Sequence, residues 1–233
     1  MNYLGGYYLI KLRPVDFGSK LNTFVYTSSD CINDNLLDTW SYSWTNGTNK
    51  ETKEAKKNLD LDDGKISEIR QWVDKKNEEN KVGWVDLFTE LESALEYRQK
   101  FFSHLNDIKV FAIYFDEKEA EDLMEEFKPQ LENEGEIGLC QTLSKQMVET
   151  DTTNEELVGF DLVGVEVGGV FHTFHCHDIG SELSEKFGLT LNSFGLFDDC
   201  NDWKPVLDYL NDEKNGCEPV PWFVAKTKLI KQK

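Results

Sequence analysis

The densest group of chemically reactive side chains lies at residues 172–178, with the sequence HTFHCHD. It contains three of the four histidines and one of the five cysteines. Imidazole, thiolate and carboxylate groups are the ligands that zinc prefers. The pattern predicts the second strand of a β-hairpin, in which side chains alternate between two faces. His175 and His177 would then share one face, and His172 and Cys176 would share the other.

This spacing leaves three interpretations open. In the structural one, Phe174 and Cys176 pack in the core and His175 and His177 lie on a half-exposed face. In the second, His175, His177 and Asp178 hold a metal whose bound water is the nucleophile of an enzyme. The third is a Cys-His nucleophile, which needs His104 or a break in the strand, because histidines on the opposite face cannot activate Cys176. The structural interpretation is the simplest, and no cofactor is expected.

Motifs for other common chemistries are missing from the sequence. There is no Walker A sequence, no dinucleotide-binding glycine pattern before a helix, and no Gly-x-Ser-x-Gly elbow. Residues 60–67 resemble a calcium-binding loop, but Leu59, Leu61 and Arg70 occupy ligand positions, so a helix start is favoured. The chain is therefore not predicted to be an enzyme.

The charge of the chain restricts its partners. The 233 residues include 44 acidic and 25 basic ones, for a net charge of −19. Non-specific binding to nucleic acid and binding to anionic membranes both need clustered Lys and Arg, so neither is expected. A basic partner is favoured, since opposite charges raise the rate of encounter.

An acidic helix is predicted after residue 116. Asp116 and Glu119 have the spacing of a capping box, and residues 116–136 include ten acids and two lysines. This face is either a solvated surface or a docking surface for a cationic protein. Aromatic side chains in residues 28–50 could anchor such a partner, or could pack beneath a loop. The predicted partner-binding residues are Glu117, Glu121, Asp122, Glu125, Trp40 and Trp44.

Periodicity along the chain predicts an α+β fold with a mainly antiparallel sheet, hairpins and several packed helices. Hairpins are expected at residues 7–27 and at 160–177, the second turning at Gly168-Gly169. The other predicted strands are 109–115 and 221–230. Helices are expected at 65–77, from about 86 to 105, after 116, and around 203–210. The chain is expected to be a single domain, residues 1–233, with a weak boundary near 145–156.

The cysteines and the N-terminal sequence indicate the compartment. Cys31, Cys140, Cys176, Cys200 and Cys217 are widely spaced and form no CxxC pair, which favours reduced thiols. The first residues do not have the pattern of a signal peptide, and no apolar run is long enough for a membrane helix. A cytoplasmic location is therefore expected.

The C-terminal part, roughly residues 159–230, resembles bacterial immunity proteins of polymorphic toxin systems. The resemblance rests on the hairpin GFDLVGVEV-GG-VFHTFHCHD, then ELSEKFGLTLNSFGLFDD, WKPVLDYLN and a closing strand. It implies a cytosolic, acidic α+β protein that is not an enzyme and neutralises a toxin by covering or distorting its active site. It supplies no catalytic motif, so no residue inherits a role.

Three functions remain as hypotheses. The first is an immunity or inhibitor protein that binds a cognate toxin with a basic surface. The second is the metal-dependent enzyme built on His175, His177 and Asp178. The third is an acidic mimic of DNA that occupies a nucleic-acid-binding protein through its carboxylates. The first is preferred because it accounts for the charge, the missing catalytic motifs and the resemblance together.

Overall fold

The computed structural model describes residues 1–14, 24–37, 50–83, 86–129, 132, 138–150, 154–177, 185–188, 190–198 and 203–231. The predicted site residues Trp40, Trp44 and Asp178 lie outside these ranges. The predicted α+β class with a mainly antiparallel sheet is confirmed. In the described residues, no helix is both long and apolar enough to cross a membrane.

Eight strands form the sheet in the described part of the chain, and every pair is antiparallel. The strands are β1 (Asn2–Lys11), β2 (Asp34–Asn35), β3 (Val82–Gly83), β4 (Leu87–Phe88), β5 (Ile108–Asp116), β6 (Glu155–Glu166), β7 (Gly169–Thr173) and β8 (Trp222–Ile230). Their order is β3-β4-β1-β5-β8-β6-β7, and β2 pairs with β1. The sheet is thus built from both halves of the sequence.

Six α-helices lie entirely within the described residues and pack around the sheet. They are α1 (Lys50–Asn58), α2 (Asp63–Glu78), α3 (Leu91–Phe101), α4 (Glu117–Glu126), α5 (Gly138–Leu143) and α6 (Lys204–Leu210). Two short 3₁₀ turns span Phe174–His177 and Glu213–Asn215. Asp62 caps α2 by accepting the N–H of Lys65 at 2.8 Å, which confirms the helix start predicted in place of a calcium loop.

The central strand β5 is buried on both faces. Its residues Val110, Ala112 and Tyr114 pack with the apolar sides of α2 and α3. The alternate residues, Phe111 and Ile113 among them, pack with α4 and α5. A strand covered on both faces needs apolar side chains at every position, which explains the unbroken run predicted as a buried strand.

The predicted N-terminal hairpin is wrong. The strand β1 pairs with β4 and β5, and residues 24–29 are irregular. Asn33 donates two side-chain hydrogen bonds, both 2.9 Å, to the carbonyls of Val25 and Thr27. These side-chain bonds satisfy backbone groups that a strand partner would otherwise satisfy. The alternating pattern of this segment therefore reflects burial and not strand pairing.

The helix predicted from residue 86 begins later. Leu87 and Phe88 form β4, which pairs with β1 through Tyr7, and α3 starts at Leu91. The two apolar residues continue the helical stripe in sequence, but in the fold they extend the edge of the sheet.

The C-terminal hairpin is confirmed, but its turn and its second strand differ from the prediction. Glu166 pairs with Gly169, so the two turn residues are Val167 and Gly168, with φ angles of 49° and 78°. Positive φ at both positions is the geometry of a type I′ turn. The second strand ends at Thr173 and is followed by the 3₁₀ turn, so the predicted strand through residue 177 is wrong.

Gly159 gives a test of the close packing at a bulge in β6. Its φ is +144°, and an added Cβ would lie 2.7 Å from Leu196 Cβ and 2.8 Å from the Phe197 carbonyl oxygen. We expect Gly159→Ala to lower the free energy of unfolding by about 3 kcal/mol, through overpacking and backbone strain. Gly216 also has a positive φ but faces open space, so Gly216→Ala is the control and should cost about 1 kcal/mol. If urea denaturation gave the same loss of unfolding free energy for both variants, the close contacts at Gly159 would not contribute to the cost of the substitution.

Candidate functional site

The acidic helix α4 is fixed in orientation by its cap and its buried face. Asp116 Oδ1 accepts the N–H of Glu119 at 2.9 Å, which confirms the predicted cap. Ala120 and Leu123 are buried against the sheet. The opposite side of the helix therefore faces outward. All four acids predicted there are exposed: Glu117, Glu121, Asp122 and Glu125.

The exposed side of α4 carries a strong negative charge. Residues 116–126 include seven acids and one lysine. Lys118 pairs with Asp122 at 2.8 Å, and Lys128 approaches Glu125 at 3.4 Å. Such exposed pairs contribute little to stability. Among the described residues, the other two predicted acids, Glu117 and Glu121, have no ion-pair partner, so their charge is available to a ligand.

Glu119 has a different role from the other acids of the helix. Its Oε2 accepts the backbone N–H of Val224 on β8 at 2.9 Å. Burial raises the pKa of Glu119, and the hydrogen bond from Val224 opposes this change. This residue attaches α4 to the sheet and is not part of the outward-facing acidic surface.

A groove lies beside the acidic side of α4 and has a volume of about 360 Å³. We call this groove and the acids on its rim the α4 groove. Its apolar surfaces come from Tyr3, Met124 and Leu143, and Glu117 and Glu121 stand on its rim. It is lined by Tyr3, Glu117, Ala120, Glu121, Met124, Leu143, Ser144 and Gln146. Apolar walls beside two unpaired carboxylates suit a side chain with a long aliphatic stem and a cationic end.

The histidines of residues 172–178 do not have the predicted arrangement. Because the chain enters a 3₁₀ turn after Thr173, His175 and His177 do not share the face of a strand. His175 is 2% exposed, its Nε2 lies 2.6 Å from the Gly195 carbonyl oxygen, and its ring contacts Phe174 at a centroid distance of 4.0 Å. Burial lowers the pKa of His175 to about 4, so it is neutral at pH 7.

The third predicted ligand, Asp178, lies outside the described residues. The metal centre of His175, His177 and Asp178 therefore stays a prediction. The hydrogen bond to Gly195 already occupies Nε2 of His175. His104, the other histidine considered for a nucleophile pair, is exposed on a different part of the surface, 3.9 Å from Asp60.

The prediction of reduced thiols is wrong for two cysteines. Cys31 and Cys176 form a disulfide across 145 residues, with their Cα atoms 6.4 Å apart. Cys140 and Cys217 form no disulfide, in line with the prediction, and both are buried, whereas Cys200 lies outside the described residues. The pairing could not be predicted from spacing because the two cysteines meet only when residues 24–37 fold against the end of β7.

A buried carboxylate links the same two segments. Asp161 on β6 is fully buried and accepts hydrogen bonds from the hydroxyls of Thr27, at 2.5 Å, and Thr173, at 2.6 Å. Burial raises the pKa of Asp161 to about 6, although both hydrogen bonds act to lower it. The only sequence signal was an acid near the start of the apolar run FDLVGV.

A second buried charge cluster connects β8 to the N-terminus. Glu149 accepts hydrogen bonds from Lys226, at 2.8 and 2.9 Å, and from Asn2 at 2.6 Å, and it forms an ion pair with Lys228. Glu155 lies 3.3 Å from the same Lys228. Burial opposes the ionisation of Glu149, but the hydrogen bonds outweigh it and lower the pKa of Glu149 to about 2. All members of this cluster are paired, so its role is structural.

The lowered pKa of Glu149 predicts that the protein loses stability in acid. The pKa of Glu149 is lower in the folded than in the unfolded chain, so its contribution is present above about pH 4.5 and is lost as the pH falls towards 2. We expect Glu149→Gln to lower the free energy of unfolding by about 3 kcal/mol at pH 7, and the difference from wild type to shrink below pH 4.5.

Glu156→Gln is the control for this variant, since it breaks an exposed pair with Lys231 at 3.5 Å. It should cost less than about 1 kcal/mol at any pH. Denaturant titrations between pH 2.5 and 7 measure both. A loss for Glu149→Gln that does not vary with pH would contradict the assignment.

The raised pKa of Asp161 predicts a pH dependence of stability that is opposite to that of Glu149. The pKa of Asp161 is higher in the folded chain, so the cost of keeping the ionised carboxylate buried is absent below about pH 4 and complete above about pH 6. We expect Asp161→Asn to gain stability relative to wild type by about 3 kcal/mol as the pH rises from 4 to 7. The exposed Asp208→Asn is the control and should show no such trend. Parallel pH profiles for Asp161→Asn and wild type would disprove the raised pKa.

No protein-family model, curated protein or solved structure matches this chain. The resemblance of residues 159–230 to immunity proteins therefore remains a prediction. In the α4 groove, two carboxylates that have no ion-pair partner among the described residues lie beside apolar walls.

Proposed function

We propose that this chain is an immunity-type inhibitor that binds a cognate bacterial toxin and neutralises it. The toxin presents a basic surface to the α4 groove. The observation that carries the proposal is the position of Glu117 and Glu121, two carboxylates without an ion-pair partner in the described part of the chain, on the rim of a groove with apolar walls. The chain acts in the cytoplasm of the bacterium that makes the toxin, and its function requires no catalysis.

Charge accounts for fast recognition. The acids of α4 lie together on one exposed side, so their fields add towards solvent. Complementary potentials raise association rates by about one to three powers of ten at low salt. A fast encounter suits an inhibitor that must reach a toxin before the toxin reaches its target.

The groove accounts for slow dissociation of the complex with the toxin. An arginine of the partner fits its chemistry, with the aliphatic stem against Met124 and Leu143 and the guanidinium beside Glu117 and Glu121. Arginine is enriched among the residues that dominate binding energy. The predicted anchors Trp40 and Trp44 lie outside the described residues and remain part of the proposal as a second contact.

The two other hypotheses have less support. In the metal-dependent enzyme, His175 would have to act as a ligand while its ring is buried and bonded to Gly195. A DNA mimic needs acids spaced along an extended surface, whereas the acidic run considered for it lies on a helix of ten residues, and one of its acids, Asp122, pairs with Lys118. Both stay predictions.

Charge reversal on the rim tests the proposal. We expect Glu117→Lys/Glu121→Lys to slow association with a catalytically inactive toxin, encoded beside this gene, by at least about tenfold at low salt. The control is Asp74→Lys/Glu78→Lys, which changes the net charge equally at exposed positions of α2, on the other face of the sheet. Surface plasmon resonance at several salt concentrations measures both.

Met124→Ala separates the two parts of the proposed site, because it removes an apolar wall and no charge. It should leave association unchanged and speed dissociation by about tenfold. Equal slowing by both charge-reversed variants would mean that only net charge matters. Absence of binding by the wild-type protein at low salt would overturn the proposed function.

A further inference from the structure

Three side chains of metal-ligand type meet where residues 24–37 cross the end of the C-terminal hairpin. Cys31 comes from the crossing segment, His172 from β7, and Cys176 from the 3₁₀ turn that follows. One ligand atom from each lies within 4.8 Å of the others, and within the described residues this is the only such group of three. We propose that, when the disulfide between Cys31 and Cys176 is reduced, this group binds one Zn²⁺ ion.

The two chain segments are held together by bonds other than the disulfide. The N–H of Cys31 donates to the Phe171 carbonyl at 3.2 Å, and the hydroxyl of Ser29 donates to the same carbonyl at 2.6 Å. Asp161 also joins the two segments, because it accepts hydrogen bonds from Thr27 of one and Thr173 of the other. Reduction of the disulfide therefore leaves both sulfur atoms beside His172, in a preformed site.

The chemistry and dimensions of the group suit zinc. Two thiolates and one imidazole are typical zinc ligands, with Zn–S distances of about 2.3 Å and tetrahedral angles that place two sulfur ligands about 3.8 Å apart. The N–H of Thr173 points at Cys176 Sγ from 3.2 Å, which favours the thiolate form. Three protein ligands leave a fourth position, and because Cys31 is exposed, that position is open to water.

Glu166 completes the surroundings of the site. Its Oε2 lies 3.6 Å from His172 Nε2. A carboxylate next to a histidine ligand orients the ring and makes it a better donor. His172 is half-buried, with 19% of its side chain exposed. Its neighbours in the hairpin therefore restrict the orientation of the ring.

The disulfide and the zinc site exclude each other. A dithiol reductant transfers two electrons to the disulfide; the S–S bond breaks, two thiols form, and the reductant becomes a cyclic disulfide. Zinc then displaces one proton from each thiol and binds the two thiolates. Reducing compartments keep such cysteines as thiols, so the zinc-bound form belongs to the cytoplasm, and the bound ion protects the sulfur atoms from oxidation. This proposal does not depend on the proposed toxin binding.

Cobalt titration of the whole chain tests the site. Protein reduced with a phosphine, freed of metal by a chelator and kept anaerobic should bind one Co²⁺ per chain. Binding should produce a thiolate-to-cobalt charge-transfer band and the intense visible bands of tetrahedral cobalt, and one equivalent of Zn²⁺ should remove both. The oxidised protein should show neither band.

Variants assign the ligands. Cys176→Ser should abolish the charge-transfer band or reduce it by about half, and His172→Asn should weaken binding by at least about tenfold. His104→Asn and Cys217→Ser change the same residue types away from the site and should behave like wild type. Circular dichroism checks folding, and His172→Asn, at a half-buried position, serves as the test if the serine variant unfolds. Reduced wild-type protein without the charge-transfer band, or unchanged binding by His172→Asn, would overturn the proposal.

Discussion

The two-sided burial of β5 is the constraint on which the rest of the structure depends. A strand in the middle of a sheet with apolar side chains on both faces is stable only when both faces are covered. Here α2 and α3 cover one face, and α4 and α5 cover the other. Because Asp116 is both the last residue of β5 and the cap of α4, the covering helix starts where the strand ends, with no intervening loop.

This direct connection also orients the acidic surface. The apolar side of α4 must face the sheet, so its acids must face solvent, next to the groove formed with α5 and the start of β1. The outward position of these acids is therefore a consequence of covering the core.

Buried polar groups hold together parts of the chain that apolar contacts alone would position less exactly. Glu149 ties the N-terminal strand to two lysines of β8, and Asp161 ties residues 24–37 to the C-terminal hairpin. A buried charge is costly unless its partners are correctly placed, so each cluster selects one arrangement of its segments. The arrangement selected by Asp161 is also the one that brings Cys31 to His172 and Cys176.

The sequence by itself determined the features that depend on local pattern. The α+β class, the buried strand β5, the helix α2, the capped acidic helix α4 and the C-terminal hairpin follow from periodicity, capping residues and turn residues, which act within a few positions of the chain. The exposure of the four acids on α4 follows in the same way, from which side of the helix is apolar.

Only the tertiary structure decided the features that depend on distant segments. Residues 24–29 alternate like a strand, yet the carbonyls of Val25 and Thr27 accept hydrogen bonds from the side chain of Asn33 and not from a strand partner. The histidine segment continues the pattern of a strand, yet it turns inward after Thr173, where His175 meets Gly195. The meeting of Cys31 with Cys176 depends on a contact across 145 residues. Local pattern carries no information about such contacts, because it records which side chains are apolar and not which segment of the chain will cover them.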